Sequence, residues 1–383
     1  MPIKRLLFIS NGHGEDSIAA EIVRRLPAAI KVETYPTLGD GRAYNGICDI
    51  VGPRAQLASE GWRNTRGSIA EDIRGGGIAT VWPGLRFIRE ARKPYDRVVV
   101  VGDMIGVYGC WVTGHTGITY LDVYKTGYGR SYLGIDKWIL RRTARTVFCR
   151  AASLADTLQA AGIDARAAGN VMMDTIPRQR LQLERRRTRG LTILPGSRGH
   201  TVANFALQVD ALAKLPPALL PDLFLAVASS VDLLDLSSAS GLVPVGERLQ
   251  GRGLDIALLA GKAMGDALDT SDLVLSQAGT ATVQAIGLGK PAITFRSPED
   301  RASRFEDESR LFGDARLAVA ADADTIAAAL AQLLSDPADL ARRAAVGRQR
   351  IGGPGAIDAI IAELVNDPGP LLPLREKVAR SAG

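Results

Sequence analysis

One short pattern of strand, glycine-rich turn and helix occurs twice in this chain, about half a chain apart. The first copy is an apolar strand at residues 6–9, the turn Ser10-Asn11-Gly12-His13-Gly14 and an amphipathic helix at 18–26. The second is a strand at 191–194, the turn Pro195-Gly196-Ser197-Arg198-Gly199 and a helix at 201–215. A strand that leads into a helix through glycine exposes backbone N–H groups, which attract phosphates above all. The duplication predicts two nucleotide-binding-type lobes facing a cleft, and an enzyme that acts on a sugar nucleotide.

Composition narrows the class of protein. The chain has 383 residues, enough for two domains, and its 46% hydrophobic and 23% charged residues are ordinary for a globular protein. The three cysteines are widely spaced and form no CxxC motif, which predicts neither a disulfide framework nor a structural zinc site and fits a reducing cytoplasm. The start of the chain does not resemble a signal peptide, and no apolar run approaches the roughly 20 residues that span a bilayer. A cytoplasmic protein is expected, at most peripheral on the inner face of the membrane.

The net charge of +6 predicts an acidic partner. Nucleic acid is not expected, because the basic residues are dispersed, aromatic residues make up only 5% of the chain, and no nucleic-acid-binding motif is present. Phosphates and anionic lipid are the partners that remain.

Strands and helices alternate along both halves. Apolar runs at 98–101, 118–121 and 146–149 predict strands of the first half, and runs at 223–227, 257–259, 272–275 and 291–295 predict strands of the second. The expected fold is α/β, with two Rossmann-like, doubly wound lobes. The predicted boundaries are a first Rossmann-like lobe at 1–176, a charged linker at 177–190, a second Rossmann-like lobe at 191–366 and an irregular tail at 367–383.

The turn that opens the second lobe has the parts that a diphosphate needs. Gly196 permits a close approach, Ser197 can donate from its hydroxyl, and Arg198 supplies a bidentate guanidinium. The alternative is a capped helix start with a surface arginine.

A second turn in the same lobe follows the strand at 272–275. There the sequence Gln277-Ala278-Gly279-Thr280 leads into a helix, so the N–H groups of Gly279 and Thr280 would meet a phosphate. Gln284, one turn further on, could reach a ribose. The alternative is a tight turn selected only for packing.

These motifs resemble a known family. The sequence LPGSR after a strand, the Gly-Thr-Ala-Thr helix start and the Gly-Lys-Pro strand start at 289–291 are similar to lipid A disaccharide synthase and its related proteins, which are inverting glycosyltransferases of the two-lobed GT-B type. The resemblance implies that a UDP-sugar binds the second lobe through the residues Gly196, Ser197, Arg198, Gln277, Gly279, Thr280 and Gln284. It implies transfer of a GlcNAc-type sugar or a hexose to a lipid-like acceptor, with the UDP-sugar as a substrate and without a metal or other cofactor.

The first lobe departs from the family pattern. The family reads Gly-Glu-Ala-Ser-Gly-Asp where this chain has Gly12-His13-Gly14-Glu15-Asp16, and a tryptophan-rich run is replaced by the sequence YLDVY at 120–124. A glutamate of the second lobe is replaced by Gln284. These departures favour the related-protein branch, with Gly12, His13, Gly14, Glu15 and Asp16 as candidate acceptor-binding residues.

Transfer needs a base for the acceptor hydroxyl and an electrophilic partner for the departing diphosphate. Asp103 is the first candidate base because it ends the best-defined buried strand and resembles in position an aspartate of the family; the alternative is a helix N-cap. His13, in the first glycine turn, is the second candidate, and Arg198 is the electrophilic partner. Of the other histidines, His200 is expected near the diphosphate at a helix start, and His115 has no assigned role.

Two basic aromatic stretches, at 82–97 and 124–145, suggest association with an anionic membrane surface, although either stretch could be an ordinary surface helix. Two other functions stay open. One is a non-hydrolysing UDP-sugar 2-epimerase, against which the scarcity of histidine argues. The other is a non-catalytic sugar-nucleotide or lipid-binding protein of the same fold.

Overall fold

The structure is a computed structural model that describes residues 3–54, 77–128, 131–196, 200–227, 231–296 and 302–365. The chain divides into two compact units. The first unit comprises Met1–Lys125, Tyr132–Ala168 and Gly355–Gly383, and the second comprises Thr126–Ser131 and Gly169–Pro354.

The first unit is built on a parallel sheet of seven strands. In chain order they are β1 (Arg5–Ser10), β2 (Lys31–Pro36), β3 (Asp49–Ile50), β4 (Arg97–Gly102), β5 (Ile118–Asp122), β6 (Ala144–Phe148) and β7 (Ala165–Arg166). Their order in the sheet is β3-β2-β1-β4-β5-β6-β7, and every neighbouring pair is parallel. The β-branched run at 98–101 forms the centre of β4 and is almost fully buried, as expected for a strand covered on both faces.

Helices connect these strands. They are α1 (His13–Arg25), α2 (Gly77–Glu90), α3 (Met104–Val112), α4 (Gly134–Thr143) and α5 (Ala152–Gln159). The predicted helix of the first glycine turn is confirmed, although it begins at His13 rather than at Ile18, so the turn itself supplies the first helical residues.

The second unit has a sheet of eight strands, β8 (Gly190–Leu194), β9 (Asp222–Val227), β10 (Val243–Val245), β11 (Arg248–Gly251), β12 (Leu254–Ala260), β13 (Leu273–Ser276), β14 (Ala292–Arg296) and β15 (Arg316–Ala320). The order is β10-β11-β12-β9-β8-β13-β14-β15, and only β10 and β11 are antiparallel additions. The helices are α6 (Val171–Asp174), α7 (Thr201–Leu212), α8 (Leu233–Ser240), α9 (Met264–Thr270), α10 (Thr280–Gly287), α11 (Ala302–Phe312), α12 (Ala323–Ser335) and α13 (Pro337–Ile351).

The last described helix, α14 (Ala356–Val365), belongs to the first unit. Its Glu363 is buried and forms ion pairs with Arg97, Arg145 and Arg166 at 3.7, 3.5 and 3.0 Å, all of which lie on strands of the first sheet. The predicted second lobe, which extends to residue 366, differs from this division, because α14 packs with the first unit through its buried apolar residues and the ion pairs of Glu363. The predicted tail at 367–383 lies outside the described residues.

The predicted linker at 177–190 packs on the second unit. Residues 177–189 contain no helix or strand, but they group with the second unit. The N–H groups of Gln179 and Leu181 donate to the carboxylate of Asp266 at 2.7 and 3.1 Å, and Arg178 pairs with Asp269 at 2.8 Å. The end of this segment, Gly190, begins β8. None of the helices within the described ranges is both long enough and apolar enough to cross a membrane.

Candidate functional site

Each sheet has a topological switch point, which is a pair of adjacent central strands from which the chain winds toward opposite edges of the sheet. In the first unit this switch point lies between β1 and β4, and in the second it lies between β8 and β13. Ligands of open α/β sheets bind outside the carboxyl ends of the strands at such points. The two copies of the duplicated pattern begin at β1 and β8, so each glycine turn lies at the switch point of its own sheet.

In the first unit, residues from the two central strands meet directly after the strands end. Nδ2 of Asn11, which follows β1, donates to Oδ1 of Asp103, which follows β4, at 2.6 Å. The Asn11 side chain lies over Gly102, where a Cβ atom would be only 1.8 Å from its Oδ1. Gly102 also has a φ of 143°, so this position requires glycine on both grounds.

Asp103 is the N-cap of α3. Its Oδ1 accepts from the N–H of Ile105 at 2.8 Å as well as from Asn11, and the residue is half-buried. The structure therefore shows the capping role that sequence reasoning weighed against catalysis. Because both bonds end on Oδ1, the second oxygen, Oδ2, takes no part in the cap, and the role of Asp103 as a base stays a prediction.

His13 is the first residue of α1 and is exposed. Its ring lies beside Gly39, where a Cβ atom would be 3.0 Å from the ring Cε1. Gly39 has a φ of 75°, in the left-handed region that favours glycine. The imidazole is thus exposed at this edge of the sheet, and its role as a base or acceptor-binding group stays a prediction.

The two acids of the same turn face inward to different extents. Asp16 is 1% exposed, and its Oδ1 accepts from the hydroxyl of Ser10 at 2.6 Å. Burial raises the pKa of Asp16 to about 6. Glu15 is half-buried beside Gly12, where a Cβ atom would lie 2.5 Å from its Oε2. Its pKa is also raised, first by burial and further by the negative charge of Asp103.

Tyr44 completes this cluster and was not predicted. Its hydroxyl lies 2.7 Å from the Ser10 hydroxyl, so Tyr44, Ser10 and Asp16 form one buried chain of hydrogen bonds under the first turn. Burial, together with the negative charge of Asp16, raises the pKa of Tyr44. The first turn thus combines an exposed imidazole with a buried carboxyl group, which is an arrangement suited to binding hydroxyl groups and accepting a proton.

In the second unit, the loops after β8 and β13 also touch. The N–H of Gln277 donates to the carbonyl of Leu194 at 2.7 Å. Gly196 has a φ of 101°, and a Cβ atom there would lie 3.4 Å from the carbonyl oxygen of Gln277. The positive φ, rather than a lack of space for a side chain, is what favours glycine at this position. Ser197 and Arg198 lie outside the described residues, so their contacts with a diphosphate stay a prediction.

Two helices begin at this switch point. His200 is the N-cap of α7 and its side chain makes no capping bond, while the N-cap of α10 is Gly279, which has no side chain. Gly279 and Thr280 are exposed. Helix N-termini carry partial positive charge and N–H groups that bind anions. The turn at Gly279 is held from below by Ser276, whose hydroxyl lies 2.6 Å from that of Thr282.

The two glutamines of the predicted donor site have internal partners. The side chain of Gln277 makes two bonds to the backbone of Phe295, donating at 2.8 Å and accepting at 3.1 Å. Gln284 is 4% exposed and donates to the carbonyl of Met172 at 2.8 Å. Their side chains hold β14 and α6 in place, and a contact of either with a bound nucleotide stays a prediction.

The other two histidines differ in burial. His115 is buried, and its Nε2 lies 2.7 Å from the carbonyl oxygen of Ile88, while burial lowers its pKa. This is a packing role. His200 is exposed at the start of α7, as predicted.

No protein-family model matches the chain. Among curated proteins it is similar to the lipid-A-disaccharide synthase of Pseudomonas putida, with 30% identity over 139 residues, which is 34% of this chain and 35% of that protein. The corresponding protein of Pseudomonas fluorescens is 31% identical over 138 residues, 34% of each chain. The match thus spans about a third of the length of these relatives.

Solved structures match over nearly the whole chain. MurG of Acinetobacter baumannii has a TM-score of 0.55 at 14% identity and covers 95% of this chain and 99% of its own. The glycosyltransferase SnogD from Streptomyces nogalater has a TM-score of 0.53 at 17% identity, covering 96% and 100%. A UDP-N-acetylglucosamine 2-epimerase has a TM-score of 0.56 at 15% identity, covering 95% of both. The predicted fold is confirmed: two α/β lobes of the GT-B type, a fold that glycosyltransferases and 2-epimerases share.

Proposed function

We propose that this chain is an inverting glycosyltransferase that moves a GlcNAc-type sugar or a hexose from a UDP-sugar to a lipid-like acceptor. The observation that carries the proposal is the pair of glycine turns at the switch points of two sheets with the same central strand order. Local similarity to lipid-A-disaccharide synthases and overall similarity to GT-B glycosyltransferases support the same reaction class.

The second unit would bind the donor. Two helix N-termini without side-chain caps converge after β8 and β13, and Gly196 and Gly279 keep the backbone open to a diphosphate. Arg198 would add a bidentate cation at the first of these turns. Preorganised positive groups of this kind stabilise the charge that develops on a departing diphosphate, and loss of one donor typically raises the barrier by about 3 kcal/mol. No step requires a metal or another cofactor, and the UDP-sugar is a substrate.

The first unit would bind the acceptor and supply the base. In the reaction an acceptor hydroxyl attacks the anomeric carbon, the bond from that carbon to the diphosphate oxygen breaks, and the hydroxyl proton passes to the base. Asp103 offers its Oδ2, and His13 offers an exposed imidazole. Glu15 and Asp16 lie in the same turn as His13, where carboxyl groups can bind sugar or lipid headgroup hydroxyls.

A 2-epimerase is the second candidate, because one such enzyme matches the fold as well as the transferases do. That chemistry would require several acid–base groups around the sugar ring. Of the three histidines of the chain, His115 is buried on a backbone carbonyl, which leaves only His13 and His200 exposed. This distribution favours the transferase.

Donor binding is tested first by thermal shift with UDP, UDP-GlcNAc, UDP-glucose, ADP, GDP and NAD. A ligand present at a hundred times its dissociation constant stabilises the native state by about 2.7 kcal/mol. We expect selective stabilisation by uridine nucleotides, its loss in Arg198→Ala, and its retention in Arg24→Ala, which removes an exposed arginine of α1 in the first unit. No response to any uridine nucleotide would contradict the proposal and favour a binding protein for another ligand.

Activity is then tested with labelled UDP-GlcNAc and a bacterial lipid extract. Label that becomes soluble in organic solvent supports a transferase. Formation of the 2-epimer from UDP-GlcNAc without any acceptor supports the epimerase. Binding of UDP without either product would leave a non-catalytic sugar-nucleotide-binding protein.

We also propose that the protein works in the cytoplasm, on the inner face of the membrane. The three cysteines are free, which fits a reducing compartment. A lipid-like acceptor and the basic aromatic stretches of the first unit support the membrane surface.

A further inference from the structure

Helix α3 has no charged side chain on any face. Its sequence is MIGVYGCWV, and it buries Met104, Val107 and Cys110 in the first unit. The opposite face is exposed, with Ile105 at 46% and Val112 at 57%. A helix that is apolar all round is normally covered on all sides, and nine residues are too few to span a bilayer. The outward face of α3 therefore requires a cover that the described part of the chain does not provide.

The neighbouring helix extends this apolar surface. Three large apolar side chains at the start of α4 are exposed, namely Leu133, Ile135 and Trp138. Trp138 meets Trp111 of α3 edge to face, with ring centroids 5.6 Å apart. We call the set Ile105, Trp111, Val112, Leu133, Ile135 and Trp138 the α3–α4 face. Exposed apolar side chains on two helices that touch through a tryptophan pair are typical of an interaction site.

The charged side chains exposed on α4 are cations, and the carboxylate next to α3 is that of its N-cap, Asp103. The guanidinium of Arg142 lies 3.8 Å from the centre of the Trp138 ring, and Arg141 is exposed beside it. The acid of the same helix, Asp136, is buried, with Oδ1 accepting from Tyr108 at 2.5 Å and Oδ2 paired with Lys125 at 3.2 Å. The exposed surfaces of α3 and α4 thus combine apolar and aromatic groups with cations.

We infer that the α3–α4 face docks on an anionic lipid leaflet. Tryptophan pairs and arginines at the edge of an apolar patch match the interfacial region of a bilayer, where aromatic rings and cations are both favoured. The face begins at the candidate acceptor site, because the N–H of Ile105 binds Asp103. The choice of a lipid leaflet as the occupant rests on the proposed function, since a lipid-like acceptor would be drawn from the same leaflet.

Part of the surface differs from the one expected from sequence. The stretch at 82–97 is one of the two that suggest membrane association, with an ordinary surface helix as the alternative. In the structure Ile88 is buried in the core and Phe87 packs edge to face on Tyr35. Among the residues of α2 whose side chains are described, the large apolar ones that are exposed are Val81 and Trp82.

Vesicle sedimentation tests the inference with the full chain. We expect the wild type to bind vesicles of phosphatidylcholine with phosphatidylglycerol at 0.1 M salt, and to bind less at 0.5 M. Val112→Ser/Ile135→Ser changes two side chains that are more than half exposed, and should lower the partition coefficient at least about tenfold. Arg141→Gln/Arg142→Gln should lower it roughly thirtyfold, since each cation near an anionic surface contributes about 1 kcal/mol.

The matched control is Leu234→Ser/Val243→Ser, which removes exposed apolar side chains of the second unit and should leave binding unchanged. Wild-type protein that stays in the supernatant, or a control that loses binding as strongly as the α3–α4 variants, would overturn the inference. A dimer that dissociates in Val112→Ser/Ile135→Ser, without vesicle binding, would show that a second copy covers the face. The UDP thermal shift separates the two proposals: vesicle binding without a UDP response would refute the donor assignment and leave the docking surface intact.

Discussion

The buried carboxyl group of Asp16 makes a prediction about stability that can be checked without knowing the substrate. Asp16 lies under the first turn with only the hydroxyl of Ser10 on its Oδ1, and its Oδ2 has no partner among the described residues. We expect Asp16→Asn to remove a component of the pH dependence of the free energy of unfolding, because an amide cannot ionise.

The magnitude follows from the pKa of Asp16, which is raised from the ordinary value of 3.8 to about 6. Between these two values the folded protein binds the proton more tightly than the unfolded chain, so stability falls as the pH rises. A difference of roughly two pH units corresponds to at most about 3 kcal/mol, fully lost above the folded pKa. For a cooperative unit of 150–250 residues that is a change in Tm of roughly 6–12 °C.

The assay is thermal or urea unfolding of the wild type and Asp16→Asn at pH 4.5 and pH 7.5. The weaker hydrogen bond of the amide lowers stability by a similar amount at both pH values, so the diagnostic quantity is the change in the difference between the two proteins. That difference should shift toward the variant by about 2 kcal/mol between these two pH values, because pH 4.5 already lies above the unfolded pKa of 3.8 and the rest of the effect falls below it. Asp156→Asn, at an exposed carboxylate of α5, is the control. Parallel pH profiles for the wild type and Asp16→Asn would refute the assignment of a buried, protonatable group.

Three further predictions concern the site and its scaffold. Asp103→Asn should keep the helix cap and the unfolding midpoint, since Asn caps a helix as well as Asp does. If Asp103 is the base, the same change should lower kcat about a hundredfold or more in the lipid-extract assay. An unchanged rate in Asp103→Asn, with a large loss in His13→Ala, would assign the role of base to His13. Gly196→Ala, at a φ of 101°, should weaken UDP binding roughly tenfold in the thermal-shift assay, while Gly46→Ala, at a φ of 72° in an open turn of the first unit, should not. Glu363→Gln should lower the free energy of unfolding by about 3–5 kcal/mol, because the buried guanidinium of Arg97 would lose the negative charge of Glu363. Urea unfolding measures this change, with Glu184→Gln at an exposed position as the control.

Local patterns were sufficient to predict the two halves of the fold. The strand, turn and helix at each glycine-rich motif are contiguous in sequence, and their periodicity and glycine positions identify β1, α1, β8 and α7. The prediction of Asp103 at the end of a buried strand also followed from a local run of valines.

The rest depends on contacts between distant residues. Helix α14 has the same periodicity whichever unit it joins, and its place depends on contacts with residues far away in sequence. It buries an apolar face that includes Ile357 and Ile360, and Glu363 pairs with arginines of the first sheet, of which Arg166 lies 197 positions earlier. Tyr44 lies 34 residues from Ser10, in a segment without a periodic pattern, so no local signal could place its hydroxyl under the first turn. The exposed face of α3 was not predicted because the apolar sequence of this helix is typical of a fully buried one. Only the packing in the structure shows which side is exposed.

The two switch points differ in the charge of the residues around them, and this difference supports the proposal that the first unit binds the acceptor and the second binds the donor. Around the first turn lie His13 and three acids, Glu15, Asp16 and Asp103. The carboxylates of these acids would repel a diphosphate, and they suit hydroxyl binding and proton transfer. Around the second, the described residues at the two turns are neutral, and the open backbone at Gly196 and Gly279 favours an anion. If the donor bound the first unit, its phosphates would face two acids whose pKa values burial has already raised, so binding would have to protonate them. Assigning the diphosphate to the second unit and the acceptor to the first avoids this cost.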